Sequence, residues 1–393
     1  MTKMKKRYLI FAFAYLSMCS FLSSFPAWAE DGVFPDKIIF GQTAAQEGTA
    51  AVLGLGMHVG IMAAFQQVNE QGGINGRKLE LIAYDDGYEP EQAIRNTQKL
   101  IDEDHIFALI GGMGTPTAYA TEPIASANKV PLIGQFTGAE FLRSPYKRYV
   151  VNIRGSYWQE TEELIKHLTK DLGLTRIAIL YQDDSFGRSG LSGVQQALEK
   201  RGLSLAGEAT YKRNTVAVKS AVLRLRKVNP EAVVMISTDK PSMEFIRISN
   251  KIGFTPKFVS ISAVGSVEFA KELGALGDGV IISQVVPLPY ESTASALVHN
   301  YQAAMTAYKP EEGYSFLSME GYMVGRFVAE ILKHMDGDIT RESFLDKVYE
   351  MGDVPLDDIT LHYGPEDNQG MDKVFITVLQ KDGSLAYVKQ LSR

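Results

Sequence analysis

Short apolar runs alternate with longer amphipathic stretches along most of this chain. Lys37–Gln42 (KIIFGQ) predicts a strand, and Ala50–Glu70 a long helix with an apolar stripe. The glycine turn EQGGINGRK leads into a second strand, Lys78–Tyr84. Pro90 opens a helix to about Asp104, IFALIGG reads as a third strand, and Thr115–Asn128 as a third helix. Val130–Gln135 makes a fourth strand. Strand–helix–strand units of this length imply a parallel sheet with helices on both faces, because only doubly covered strands read as unbroken apolar runs.

The rhythm then restarts. Tyr149–Ile153, RIAILYQ, SLAGEATY, AVVMIST, KFVSIS and Gly279–Pro287 read as strands. Helices over Trp158–Lys170, Gly187–Arg201, Val216–Val228 and Pro241–Ile252 separate them. Further helices are expected at about Ala294–Tyr308, Ser318–Met335 and Arg341–Met351, then two strands, KVFITVLQ and LAYVK, around Lys381-Asp382-Gly383. The expected architecture is α/β, with two doubly wound parallel-sheet lobes joined by crossing hinge segments and a ligand cleft between them. Residues 30–153 with 287–355 would form the N-terminal lobe, and 154–286 with 356–393 the C-terminal lobe, with hinges near Ile153, Val286 and Pro355. In open parallel sheets ligands sit beyond the carboxyl ends of the strands. That rule selects Thr43-Ala44, Asp85-Asp86, Gly112 to Thr115 and Phe136-Thr137-Gly138 on the first lobe, and Asp183 to Phe186, Thr238-Asp239 and Ser262 to Gly265 on the second. Arg154 lies at the first crossing.

The first residues stand outside this pattern. Lys3, Lys5, Lys6 and Arg7 precede an uncharged, mostly apolar stretch from Tyr8 to Phe25, and Ala27-Trp28-Ala29 supplies a cleavage site, so residues 1–29 read as a secretory signal peptide. The only cysteine of the 393-residue chain, Cys19, falls inside it. The mature protein would have no disulfide and no thiolate, which suits a Gram-negative periplasm. Losing four basic and no acidic residues would take the net charge from −6 to −10. With no basic patch, nucleic acid is excluded as a partner, and beyond the leader no apolar run long enough to span a bilayer is expected.

The stretch LIGGMGTPTAYATEP (Leu109–Pro123) is the main candidate for chemistry. A strand ends in three glycines within four positions and a helix follows, a geometry that holds anions. A P-loop would need a lysine, and none lies between Asp104 and Asn128. The dinucleotide fingerprint is absent; GLGMHVG (Gly54–Gly60) has the wrong spacing and lies inside a predicted helix, where packing explains it. No G-x-S-x-G elbow and no H-x-x-x-H pair occurs. His58, His167, His299 and His334 are expected on helix surfaces. Asp85 and Asp86 are expected to hold loop backbone. No catalytic residue, metal ligand or cofactor is assigned, and the chain is read as a non-enzyme. What remains is a helix N-terminus with free N–H groups, where Gly114 lets a ligand approach and Thr115 offers a hydroxyl, or alternatively caps the helix.

The stretches VNEQGGINGRKLELIAYDDGYEPEQAIRNTQKLI, ALIGGMGTPTA, VPLIGQFTGAEFL and RIAILYQDDSFGRSG together resemble the type I periplasmic binding proteins of the leucine/isoleucine/valine-binding branch. The resemblance runs from Lys37 to about Val388. It implies a monomeric binding protein that captures a small carboxylate ligand, such as an amino acid, and delivers it to an ABC permease in the inner membrane; some relatives instead report to a sensor kinase. It places the hydroxyl that holds the ligand carboxylate on Thr115, beside Gly114. The backbone-plus-threonine element falls on Phe136, Thr137 and Gly138, and the aromatic wall on Phe186. The acidic partner of the ligand ammonium is replaced by Ser262, one cleft aromatic by Asp239 and another by Leu53. Either Asp239 takes over the ammonium or the ligand is not an α-amino acid. Arg154 would either read a second anionic group or act as a hinge residue bonding backbone.

Overall fold

The computed structural model describes residues 30–290 and 295–392. The expected leader lies outside them. The first sheet consists of β1 (Lys37–Ala44), β2 (Lys78–Asp85), β3 (Ala108–Ile110), β4 (Leu132–Ile133) and β5 (Val150–Val151). They are all parallel, in the order β2-β1-β3-β4-β5. Three helices connect them: α1 (Ala51–Glu70), α2 (Pro90–Asp102) and α3 (Thr115–Ala127).

After β5 the chain passes to a second sheet. Its parallel strands are β6 (Ile177–Gln182), β7 (Gly207–Tyr211), β8 (Ala232–Ile236), β9 (Lys257–Ser260) and β10 (Ile281–Gln284). Around them lie α4 (Tyr157–Lys170), α5 (Ser185–Glu199), α6 (Lys219–Val228), α7 (Asp239–Lys251) and α8 (Ser266–Leu273). The chain then returns to the first core with α9 (Ala296–Tyr308), α10 (Phe316–Lys333) and α11 (Arg341–Met351). A hairpin follows, β11 (Asp353–Leu356) and β12 (Ile359–His362). Finally β13 (Phe375–Leu379) and β14 (Leu385–Val388) add to the second sheet antiparallel, giving the order β14-β13-β10-β9-β8-β6-β7. Each sheet separates two apolar cores, one on either face.

Four features depart from the sequence expectation. The β11–β12 hairpin and α8 are additional elements. Leu361, Tyr363 and Met371 pack in the first lobe's core, so the third passage to the second sheet comes after them rather than at Pro355. α1 does have the length and mean hydropathy of a membrane span. It is nonetheless a core helix, its Met57, Ile61, Phe65 and Val68 buried. Its glycines form the seam with α10: a Cβ on Gly60 would lie 2.0 Å from the Ser318 carbonyl oxygen, and one on Gly321 2.2 Å from that of Met57. That close approach accounts for Gly56 and Gly60 of GLGMHVG, while a Cβ on Gly54 would lie 1.9 Å from the Ala45 carbonyl oxygen.

Candidate functional site

The carboxyl ends of the two sheets face each other, and the loops there touch. Arg213, after β7, reaches Glu89 across the cleft at 2.7 Å and Asp184 on its own side at 3.3 Å. Asn214 donates to Glu89 at 2.7 Å and to the Gly87 carbonyl at 3.0 Å. Gln182 donates to the Tyr88 hydroxyl at 3.1 Å. The Gly87–Glu89 loop is itself held by carboxylates. Asp85 accepts from the N–H groups of Gln46 and Gly87, and Asp86 from Tyr88 N–H and the Thr43 hydroxyl. These acids keep loop backbone in place, as their turn positions suggested.

Beneath this contact lies the start of α3. Gly114 is its N-cap, with φ +100°, and a Cβ there would sit 2.2 Å from the Tyr88 ring. Only glycine fits both constraints. Thr115 is the first helical residue, 1 % exposed, and its hydroxyl lies 2.6 Å from that of Thr137 and 3.5 Å from that of Tyr157. Thr137 Oγ1 also accepts from Ala139 N–H at 3.2 Å. When Thr137 gives its proton to Thr115, the Thr115 proton is free to donate outward, beside first-turn N–H groups that no helix can satisfy internally. The Tyr157 ring meets Phe186 at 5.5 Å, and the Tyr157 N–H donates to the Gly138 carbonyl at 2.7 Å. Burial raises the Tyr157 phenol above its ordinary range, so it stays a neutral hydroxyl.

A second group gathers round Arg154. Its guanidinium stacks on Phe136 at 4.8 Å and bonds the Ser262 hydroxyl. Its Nη2 lies 3.1 Å from Glu160 and its Nη1 3.4 Å from Glu320. The charge of Arg154 is therefore compensated inside the protein, by side-chain carboxylates and not by backbone. Ser262 is likewise engaged, its N–H and hydroxyl both donating to Glu160.

Asp239 differs from these. It opens α7 after β8, between the strand ends that carry Phe186 and Ser262. It is 2 % exposed, and its Oδ1 has no hydrogen-bond partner. Burial pushes its carboxyl up to about 6. A carboxyl raised in the fold contributes stability below the unfolded value near 4 that is lost as pH rises through 6. Asp239→Asn should accordingly raise the melting temperature at pH 7.5, by the equivalent of up to about 3 kcal/mol. The gain should disappear near pH 4, and a gain equal at both pH values would show that no buried charge was being relieved.

The sequence-selected residues thus fall into three places: Gly114, Thr115, Thr137, Gly138 and Phe186 with Tyr157; Phe136, Arg154 and Ser262 with two glutamates; and Asp239 alone. Tyr88, Tyr157, Glu160 and Glu320 were not anticipated. Leu53 is buried and near Gly265 of the opposite lobe. Of the four histidines expected on surfaces, His299 and His334 are exposed and His58 half-buried. His167 is buried between Glu163 and Asp171, an i−4/i+4 pairing that draws it against the helix. Among the described residues no three His, Cys, Asp or Glu side chains gather as a metal site. A 400 Å³ cavity lined by Val52, His58, Lys309 and Leu317 opens beside α1 and is separate from the Thr115 group.

The sequence profile of the periplasmic binding protein family matches residues 37–384. The chain belongs to this family. The periplasmic binding protein described here is 24 % identical over 307 residues to Leu/Ile/Val-binding protein homolog 7 of Brucella abortus, covering 74 % of this chain and 75 % of that one. A possible leucine/isoleucine/valine-binding protein from Rhodopirellula baltica superposes with a TM-score of 0.86 at 34 % identity, over 93 % of this chain and all of that one. The substrate-binding protein LivJ of a Streptococcus pneumoniae branched-chain amino acid transporter, solved with isoleucine, shares the fold with a TM-score of 0.77 at 16 % identity, over 90 % and 99 % of the two chains.

Proposed function

We propose that this protein is the ligand-capturing subunit of an ABC-type uptake system, exported by cleavage after Ala29, which closes its lobes on a small carboxylate-bearing molecule. The observation that carries the reading is the Thr115–Thr137 hydroxyl pair at the N-terminus of α3, buried under Tyr88 and Tyr157. Hydroxyl donors, unsatisfied N–H groups and a positive dipole end converge there, which suits one carboxylate. Closure draws on contacts made only when the lobes meet, so a ligand touching both lobes shifts the equilibrium toward the closed form. Binding without turnover is the chemistry that membership of the periplasmic binding protein family supports.

The test is mass spectrometry of small molecules released on denaturing protein purified from the periplasm. A released carboxylic acid in roughly equimolar amount supports the reading. A released ligand with no carboxylate overturns it. Permease and ATPase genes beside this one would favour uptake over a sensory role.

A further inference from the structure

Arg154 lies where the chain first passes between the sheets, and its charge partners come from both sides of that passage. Glu160 belongs to α4 on the second lobe, and Glu320 to α10 in the first lobe's core. All three are buried, at 1 %, 0 % and 3 % exposure. The two carboxyls are served unequally. Glu160 accepts from Arg154 at 3.1 Å, from Ser262 N–H at 2.9 Å, from the Ser262 hydroxyl at 3.0 Å and from the Ser283 hydroxyl at 2.6 Å. Glu320 faces Arg154 Nη1 at 3.4 Å, near the outer limit for a hydrogen bond. Donors concentrated on one of two buried carboxyls favour its ionised form and leave the proton with the other.

We propose that Glu320 carries a proton while the lobes are closed and gives it up when they part, so that closure takes up a proton and capture strengthens on acidification. The proposal rests on reading the cleft as a closing clamp and concerns the regulation of that same site. The charged groups that reach Glu320 are Arg154, Glu160 and Arg143. Arg143 directs its guanidinium to the carbonyls of Ala139 and Arg154. Along its seam with α10, α1 presents Met57 and Gly60, and the nearby His58 turns to Gln42. Burial pushes the Glu320 carboxyl up to about 7; Arg154 opposes this and Glu160 adds to it. In a parted, wetted cleft the carboxyl returns toward its ordinary value of about 4.3. The state with the higher value gains as pH falls, so the closed-to-open ratio should rise by up to about tenfold per pH unit between about 7 and 4.5.

The test uses the full mature chain, whose lack of cysteine allows spin labels at Asp102→Cys on α2 and Lys227→Cys on α6, both exposed. Pulsed electron resonance should show the label distance shortening from pH 8 to pH 5. Glu320→Gln should hold the short distance throughout. Asp86 and Asp239, each raised to about 6, titrate in the same window and remain in that variant. Infrared spectroscopy of the unsubstituted protein supplies a readout that needs no variant: a protonated-carboxyl band that grows together with the shortening of the label distance as pH falls through the window from about 7 to 4.5, absent in Glu320→Gln. An unchanged or lengthening distance on acidification, a missing band, or wild-type pH dependence surviving in Glu320→Gln overturns the proposal. The labels report closure whatever fills the cleft, so failure here leaves the carboxylate reading to its own test at Thr115.

Discussion

Arg154→Met should destabilise the protein by about 3–5 kcal/mol, the usual consequence of stranding a buried partner of opposite charge. The stranded charge in this case is that of Glu160, at 0 % exposure; Glu320, with its carboxyl raised to about 7 and Arg154 no longer holding it down, keeps its proton. Urea unfolding at pH 7.5 should show the loss as a lower midpoint at an unchanged slope. Adding Glu160→Gln should recover most of it, because the cost lies in the orphaned charge and not in the missing guanidinium. The opposite pattern is equally readable. If Arg154 served the ligand, the single variant would melt normally and bind carboxylates poorly. Full stability in Arg154→Met would show that the Glu160–Arg154–Glu320 cluster is not what orders this hinge.

That cluster marks the boundary of what the chain reveals before folding. The alternation of strands and helices was legible because strands covered on both faces are unbroken apolar runs, as in β6 (IAILYQ) and β8 (AVVMI). The start of α3 was legible because glycine at a left-handed position followed by Thr-Pro has few other uses. The role of Arg154 was not. Its partners lie 6 and 166 residues away, on helices from different lobes, and a polar residue inside a helix pattern carries no mark of the charge it meets. Glu320 sits in SMEGYMVG, a stretch whose glycines and methionines announce packing alone. The β11–β12 hairpin was hidden for a local reason. Pro355 and the pair Asp357-Asp358 read as loop, while the period-2 positions Val354, Leu356 and Leu361 that bury it number only three. His167 could have been placed by its i−4 and i+4 acids, which a surface histidine does not require.

Thr115→Ala should lower affinity for the carboxylic acid released from the native protein by roughly ten- to a hundredfold, since a hydrogen bond to a charged group contributes about 1.5–3 kcal/mol. Thr115→Val keeps the shape, loses the hydroxyl and should behave alike. A helix-cap role would give another result, about 1 kcal/mol of stability lost with affinity per folded molecule unchanged. The structure makes that outcome less expected: Gly114 is the N-cap, and the Thr115 hydroxyl turns to Thr137 instead of a helix N–H. Thr137→Ala should therefore reproduce part of the Thr115 effect, because it removes the hydroxyl that orients Thr115 Oγ1. Calorimetric titration beside thermal melting separates binding from stability. The amide of the same acid supplies the deciding control. Unsatisfied N–H groups, a positive helix end and an outward-donating hydroxyl favour a full negative charge over a neutral amide oxygen. The amide should bind at least tenfold more weakly to the unsubstituted protein, and that gap should narrow in Thr115→Ala. Equal affinity for acid and amide would mean that the start of α3 reads no carboxylate.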